Sequence, residues 1–159
     1  MKIRRRSSGI ALAFLLPVVA CKQSTEPINE CDLRPASNGT VATTVTTNKA
    51  TYSLSTDTRA ESSFTNEGPG PLYVSGDVGV VQRQVAGQWT TVGGWVVWDG
   101  VCATFDVLPG TTLVEGFAFT RVGNQPGTYR FLYYMTRDPA GKRPLSEPER
   151  SSPAFVLTP

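Results

Sequence analysis

Gly127-Thr128-Tyr129-Arg130-Phe131-Leu132-Tyr133-Tyr134-Met135-Thr136 is the stretch that decides the fold. Tyr129, Phe131, Tyr133 and Met135 alternate with Arg130, Leu132, Tyr134 and Thr136. A period of two is that of a strand with one buried face. Working back toward the N-terminus, Ala60, Ser62 and Phe64 alternate with Glu61, Ser63 and Thr65 in the same way. Thr40 to Thr47 and Thr51 to Leu54 are β-branched or apolar, as are Leu72 to Val74, Val78 to Val85 and Trp89 to Val92. Trp95 to Trp98, Val101 to Leu108, Leu113 to Phe119 and Ala154 to Leu157 complete the set. Turn residues separate these runs. Ala86-Gly87 reads as a tight hairpin, Asp99-Gly100 as the strongest hairpin signal, Gly68-Pro69-Gly70-Pro71 as a breaker, and Gly76-Asp77 as a kink or turn. The run from Val101 is expected to pair back across Asp99-Gly100. Residues 137–153 are polar with four prolines, and predict an exposed, solvated loop. Several short strands at close spacing, without helical periodicity beyond the N-terminal segment, predict an all-β sandwich or barrel.

The first twenty residues belong to a different kind of segment. Lys2, Arg4, Arg5 and Arg6 precede an apolar run from Gly9 to Ala20. That run is short for a membrane span and fits the apolar region of a signal peptide. The segment ends Val18-Val19-Ala20-Cys21, which resembles the bacterial lipobox. The resemblance implies a diacylglycerol thioether on Cys21, cleavage after Ala20 and a further acyl chain such as palmitate on the new N-terminus. Two chains anchor stably where one is marginal. The alternative is plain secretory cleavage at the same bond. Lys22, in place of Asp, implies the outer membrane rather than the inner where the envelope has both. The expected organisation is a signal peptide over 1–20, a lipidated cysteine and disordered tether over 21–39, and one domain over 40–159.

Processing changes the charge. Four of the fifteen Lys and Arg residues lie in residues 1–20, leaving eleven against thirteen Asp and Glu. The mature chain is mildly acidic, and no basic stripe suggests nucleic acid as a partner. Three cysteines in an exported chain leave one unpaired. With Cys21 lipidated, Cys31 and Cys102 remain, and an oxidising exterior favours their disulfide. It would close 71 residues, worth roughly 4 kcal/mol on chain entropy.

From Val41 to Leu157 the chain resembles bacterial immunoglobulin-like domains. Thr51-Tyr52-Ser53-Leu54 comes first, ahead of a strand ending Phe64-Thr65-Asn66. Gly87-Gln88-Trp89, Leu108-Pro109-Gly110, Pro126-Gly127-Thr128-Tyr129-Arg130 and Ser152-Pro153-Ala154-Phe155-Val156 follow in order. The resemblance implies a single immunoglobulin-like antiparallel β-sandwich, with Tyr129 as a tyrosine corner capping a loop backbone group. Neither the Phe64 strand nor the Tyr129 strand carries the cysteine of the antibody disulfide. A shared sandwich would not assign a function.

The chemistry available is narrow. The chain has no histidine, which removes His-based catalytic triads and the commonest zinc ligand. No Cys-x-x-Cys or phosphate loop is present. Asp99, Asp106 and Glu115 are the acids to weigh as a hydrolytic pair or as calcium ligands, although such acids more often face solvent or shape turns. No cofactor is expected. The aromatic residues offer more. Adjacent strand positions point to opposite faces, so Trp95 and Trp98 cannot both face the core unless Gly93-Gly94 or a bulge resets the parity. Trp95, Trp98 and Tyr134 are therefore the candidate binding surface for a sugar ring or a protein. Packing in the core or over a sheet edge is the commoner use of such tryptophans. The residues together point to a non-catalytic envelope lipoprotein, a binding or structural module that binds an envelope protein or glycan or organises the envelope. The alternative is an inhibitor or accessory subunit capping an envelope enzyme through the loop at 137–153 or the Trp95–Asp99 hairpin.

Overall fold

The computed structural model describes Arg34, Ser37, residues 41–95 and residues 104–159, with Trp95 confined to its backbone. Cys21, Cys31, Trp98, Asp99-Gly100 and Cys102 lie outside the described residues. The described chain is mostly strand. In order these are β1 Thr43–Thr47, β2 Thr51–Ser53, β3 Arg59–Asn66, β4 Leu72–Val85, β5 Gln88–Trp95, β6 Thr104–Val107, β7 Thr112–Ala118, β8 Gly127–Thr136 and β9 Phe155–Thr158. A 3₁₀ turn at Phe119–Val122 and one short helix, α1 Glu147–Arg150, complete it.

The strands form two sheets. One has the order β1-β3-β7, and the other β2-β9-β8-β4-β5 with β6 also on β4. All pairings are antiparallel except β2 with β9. The alternation read from the sequence sets the faces. Ala60, Ser62 and Phe64 of β3 are buried, as are Tyr129, Phe131, Tyr133 and Met135 of β8. The Phe64 ring lies 4.8 Å from Tyr133, and Phe117 lies 6.3 Å from Phe131, so the two sheets face each other across aromatic contacts. Each such ring contributes about 1.5–3 kcal/mol by leaving water. The Tyr129 hydroxyl donates to the Gln125 carbonyl at 2.6 Å, four residues upstream.

β4 departs from expectation. It is one strand, with a bulge where Gly76-Asp77 suggested a break. Val74 pairs with Met135 and Gly79 with Tyr133, so residues 75–78 stand against Tyr134 alone. On its other edge β4 pairs with β6 over Leu72–Ser75 and with β5 over Gly79–Val85. The expected hairpin of Trp95–Trp98 with the run from Val101 across Asp99-Gly100 lies mostly at residues 96–103, outside the described residues; within them, Thr104–Val107 pairs with β4 and not with β5. The two strands follow one another along a single edge of β4, each taking one half of it. The Ala86-Gly87 turn does form, with positive φ at both residues (49° and 81°) as a tight two-residue hairpin requires.

Residues 137–153 are exposed at 140–144 and 146–148, as expected, but they form no free loop. β9 pairs with β8 only over Gly127–Tyr129. Pro153 has no N–H with which to extend the ladder. Beyond that point other groups satisfy the β8 edge. The Ser152 hydroxyl accepts from the Phe131 N–H at 3.0 Å, and the Ser152 N–H donates to the Phe131 carbonyl at 3.0 Å. Arg150 Nη1 donates to the Tyr133 carbonyl at 3.0 Å, and the Leu145 N–H to the Met135 carbonyl at 2.9 Å. Asp138 holds the bend by accepting from the Lys142 and Arg143 backbone N–H groups at 3.1 and 2.6 Å. Burial opposes its ionisation, yet these donors outweigh burial and hold its carboxyl below the usual range.

Gly79 marks the closest approach of β4 to β8. A Cβ there would stand 2.6 Å from the Leu132 carbonyl oxygen and 3.1 Å from the Tyr133 Cα, both backbone atoms that cannot step aside. Gly116 on β7 has only the flexible Arg59 side chain nearby, at 3.7 Å. Gly79→Ala should therefore destabilise by about 1–3 kcal/mol, while Gly116→Ala should be neutral or stabilise by about 0.5–1 kcal/mol. Urea unfolding of the two variants measures the contrast.

Candidate functional site

Parity along β8 places Arg130 on the outer face of the six-stranded sheet, between the buried Tyr129 and Phe131. Its guanidinium does three things there. Nε donates to Gln82 Oε1 at 2.8 Å, Nη2 meets Glu147 Oε1 at 2.5 Å, and the group lies 4.4 Å from the Trp89 ring centroid. Gln82 is the β4 partner of Arg130, and Trp89 pairs with Gln84 two rungs closer to the hairpin, on the same face. Thr91 pairs with Gln82. Three strands and α1 thus bring together an indole, a guanidinium, an amide and a carboxylate. Cation–π contacts of this kind are worth about 0.5–2 kcal/mol. The Arg130 side chain is only 13% exposed, so the cluster is held in place without any ligand.

The sequence-predicted surface is distributed differently. Tyr134 shares the outward parity of Arg130, is 37% exposed, and stands against the β4 bulge. A one-residue bulge in β5 does reset parity. Gln82 pairs with Thr91 but Val81 pairs with Gly93, leaving Val92 over, and Trp95 falls opposite Gly79. Trp98 lies outside the described residues. The tryptophan on this face is Trp89, which the sequence reading did not select. Counting rungs from the Ala86-Gly87 turn would have found it. Val85 pairs with Gln88 and Gln84 with Trp89, and Gln84 has the parity opposite to buried Val81.

Asp99 lies outside the described residues, and the two acids that are described, Asp106 and Glu115, do not form a pair. Asp106 on β6 is held by an ion pair with Arg34. Glu115 stands on β7 in the other sheet, opposite buried Ser62 and with the parity of buried Phe117. Burial alone raises its carboxyl above the usual range. Two shallow pockets of about 230 and 220 Å³ share Asn48 and Glu61. Their charged groups are matched, Lys49 to Asp57 at 2.5 Å and Arg59 to Glu61 at 2.5 Å. Lys49 holds the Asp57 carboxyl below the usual range.

No family model matches the chain, and no curated protein matches it. Among solved structures it is similar to the Pseudomonas fluorescens alkylpurine DNA glycosylase AlkC bound to DNA containing an abasic site analog. The identity is 16% and the TM-score 0.47, over 81% of this chain and 32% of that one. It is also similar to a β-glucosidase involved in saponin metabolism from intestinal bacteria, with 16% identity and a TM-score of 0.35, over 76% of this chain and 16% of that one. The chain spans about a third of the first protein and a sixth of the second. Likenesses of this size assign neither activity.

Glu115 supplies a pH test. Its carboxyl holds a proton to higher pH in the folded chain than in the unfolded one. The fold therefore gains from the neutral form, and loses that gain as pH rises through the raised value. Glu115→Gln keeps a neutral side chain at every pH. It should raise the urea midpoint at pH 7, with the gain closing toward zero as pH falls below 4.5, the unperturbed value. An equal gain at pH 4 and pH 7 would rule out burial of the charge as its source.

Proposed function

We propose that the chain is a lipid-anchored envelope protein whose folded part is a non-catalytic, immunoglobulin-like binding module. The observation that carries the binding role is the preassembled Trp89–Arg130–Gln82–Glu147 cluster on an open sheet face. Trp and Arg are the residue types that dominate recognition surfaces, and rigid strands hold both here at little entropic cost. The partner is an envelope protein or glycan. Catalysis plays no part, and no cofactor is required.

Two features support the immunoglobulin-like reading. The order β1-β3-β7 against β9-β8-β4-β5 follows the A-B-E and G-F-C-C′ arrangement of such sandwiches. The Tyr129 hydroxyl bond is that of a tyrosine corner. The departure is β6, which lies on β4 rather than beside β7. The anchor rests on Val18-Val19-Ala20-Cys21. A Cys31–Cys102 disulfide belongs to the same reading on cysteine parity alone, once Cys21 carries lipid. The inhibitor reading draws less support, because the loop that would cap an enzyme is bound along β8.

Cys21→Ala should move the protein from the membrane to the soluble fraction and remove the lipid mass. Retention on the membrane without lipid would defeat the anchor. For the face, a photo-cross-linking residue at Thr91 should label an envelope component, and one at Thr46 on the opposite sheet should not. Trp89→Ala should cut the Thr91 yield at least about ten-fold, the loss expected of a hot-spot tryptophan, while lowering stability by no more than about 0.5–2 kcal/mol, the worth of the lost cation–π contact. Equal labelling from both positions would defeat the assignment of the face.

A further inference from the structure

Arg34 precedes the first strand by nine positions, in the stretch that composition assigns to the tether, yet it is bound to the domain. Its guanidinium lies 5.2 Å from the Tyr73 ring centroid, donates to Thr104 Oγ1 at 2.9 Å and forms an ion pair with Asp106. Tyr73 and Thr104 are fully or almost fully buried, and the Thr104 hydroxyl donates in turn to the Pro139 carbonyl at 2.7 Å. That donation fixes the hydroxyl proton away from Arg34 and aims a lone pair at it. An aromatic face, an oriented hydroxyl oxygen and a carboxylate around one spot suit a planar cation better than a point charge. A second contact lies three residues on. The Ser37 N–H donates to the Arg137 carbonyl at 2.9 Å, and Ser37 is buried. The Ser37 hydroxyl stands 2.8 Å from where a Gly70 Cβ would be, so the absence of a side chain at Gly70 makes room for it.

We infer that Tyr73, Thr104 and Asp106 form a guanidinium-binding site that Arg34 fills in cis, latching the tether to the domain. The latch places the start of the folded unit at Arg34, ahead of the boundary at residue 40 expected from composition. Its consequence for reach rests on the anchored reading. Thirteen residues separate Cys21 from Arg34 and 22 separate it from Thr43, the start of β1. At about 3.4 Å per residue the fully extended leash is about 45 Å with the latch closed and about 75 Å with it open. With Cys31 and Cys102 reduced, this one ion-paired side chain sets how far from the bilayer the recognition face can work; their disulfide would fix the leash at Cys31 whatever the latch does.

The test needs no membrane and so stands apart from the anchor. Amide exchange is measured on the mature chain with Cys21→Ala and thiols kept reduced, so that only non-covalent contacts hold the segment. The Ser37 amide should be protected in that parent chain and lose protection at least ten-fold in Arg34→Ala and in Asp106→Asn, with the Phe131 amide unchanged. Arg34→Lys, which keeps the charge but not the planar fork, should keep part of the protection that Arg34→Ala loses. Ethylguanidinium should shift the Thr104 and Asp106 amide resonances of Arg34→Ala at millimolar concentration, and ethylammonium should do so more weakly. The parent, with its site filled, should respond to neither. Undiminished Ser37 protection in Arg34→Ala would overturn the latch. Equal ethylguanidinium responses in parent and variant would overturn the occupied site.

Discussion

The fold depends on β4 serving three partners at once. One strand of fourteen residues lies against β8 along one side, while β6 and β5 divide its other side. The bulge at residues 75–78 absorbs the mismatch with β8 at the place where β4 changes partner on its far edge. Bulges bend a strand and increase its local twist, and here that bend lies between the β6 half and the β5 half. Gly79 follows at once and brings the two backbones close enough for the ladder to resume. The outer face that carries Trp89 and Arg130 belongs to the β5 half, and the Arg34 site to the β6 half. Both therefore take their position from the same irregularity.

Most of the strands were legible from period-two alternation, because one buried face forces it. β3 and β8 are the clearest cases, and their inward residues are those that the alternation selects. The hairpin at Ala86-Gly87 was legible because a two-residue turn needs positive φ, which few residues tolerate. The partner of β6 was not legible. Sequence proximity and an Asp-Gly turn both favour pairing with β5, and only the length of β4 allows another outcome. Residues 137–153 misled for a different reason. Their polar groups were read as solvated, whereas Asp138, Arg150 and Ser152 spend their hydrogen bonds on backbone. The Ser146-x-x-Glu149 spacing was an available sign of helical order there, and Glu149 does accept from the Ser146 N–H at 2.8 Å.

The candidate face shows the same limits. Tyr134 could be found from parity alone. Trp89 needed parity carried across a turn, and the register of Trp95 needed the single-residue bulge at Val92. A bulge of one residue exchanges the two faces of everything beyond it, and nothing in the sequence announces it except a pair of glycines. Arg34 was invisible for a further reason. Its neighbours are polar and aperiodic, and the groups that receive it come together only after the sheets have formed.

The side chains lining the upper edge of β8 have a consequence for crowding. A strand edge with free N–H and C=O groups is a template for a strand from another molecule. Molecules confined to a surface meet far more often than the same number free in a volume. Along residues 131–135 the Phe131 N–H and the carbonyls of Phe131, Tyr133 and Met135 are already taken by Ser152, Arg150 and Leu145. Pro153 leaves β9 without a donor where it would otherwise continue. Those groups are therefore withheld from a templated strand by a hydroxyl, a guanidinium and a few backbone atoms, at the cost of no further strand.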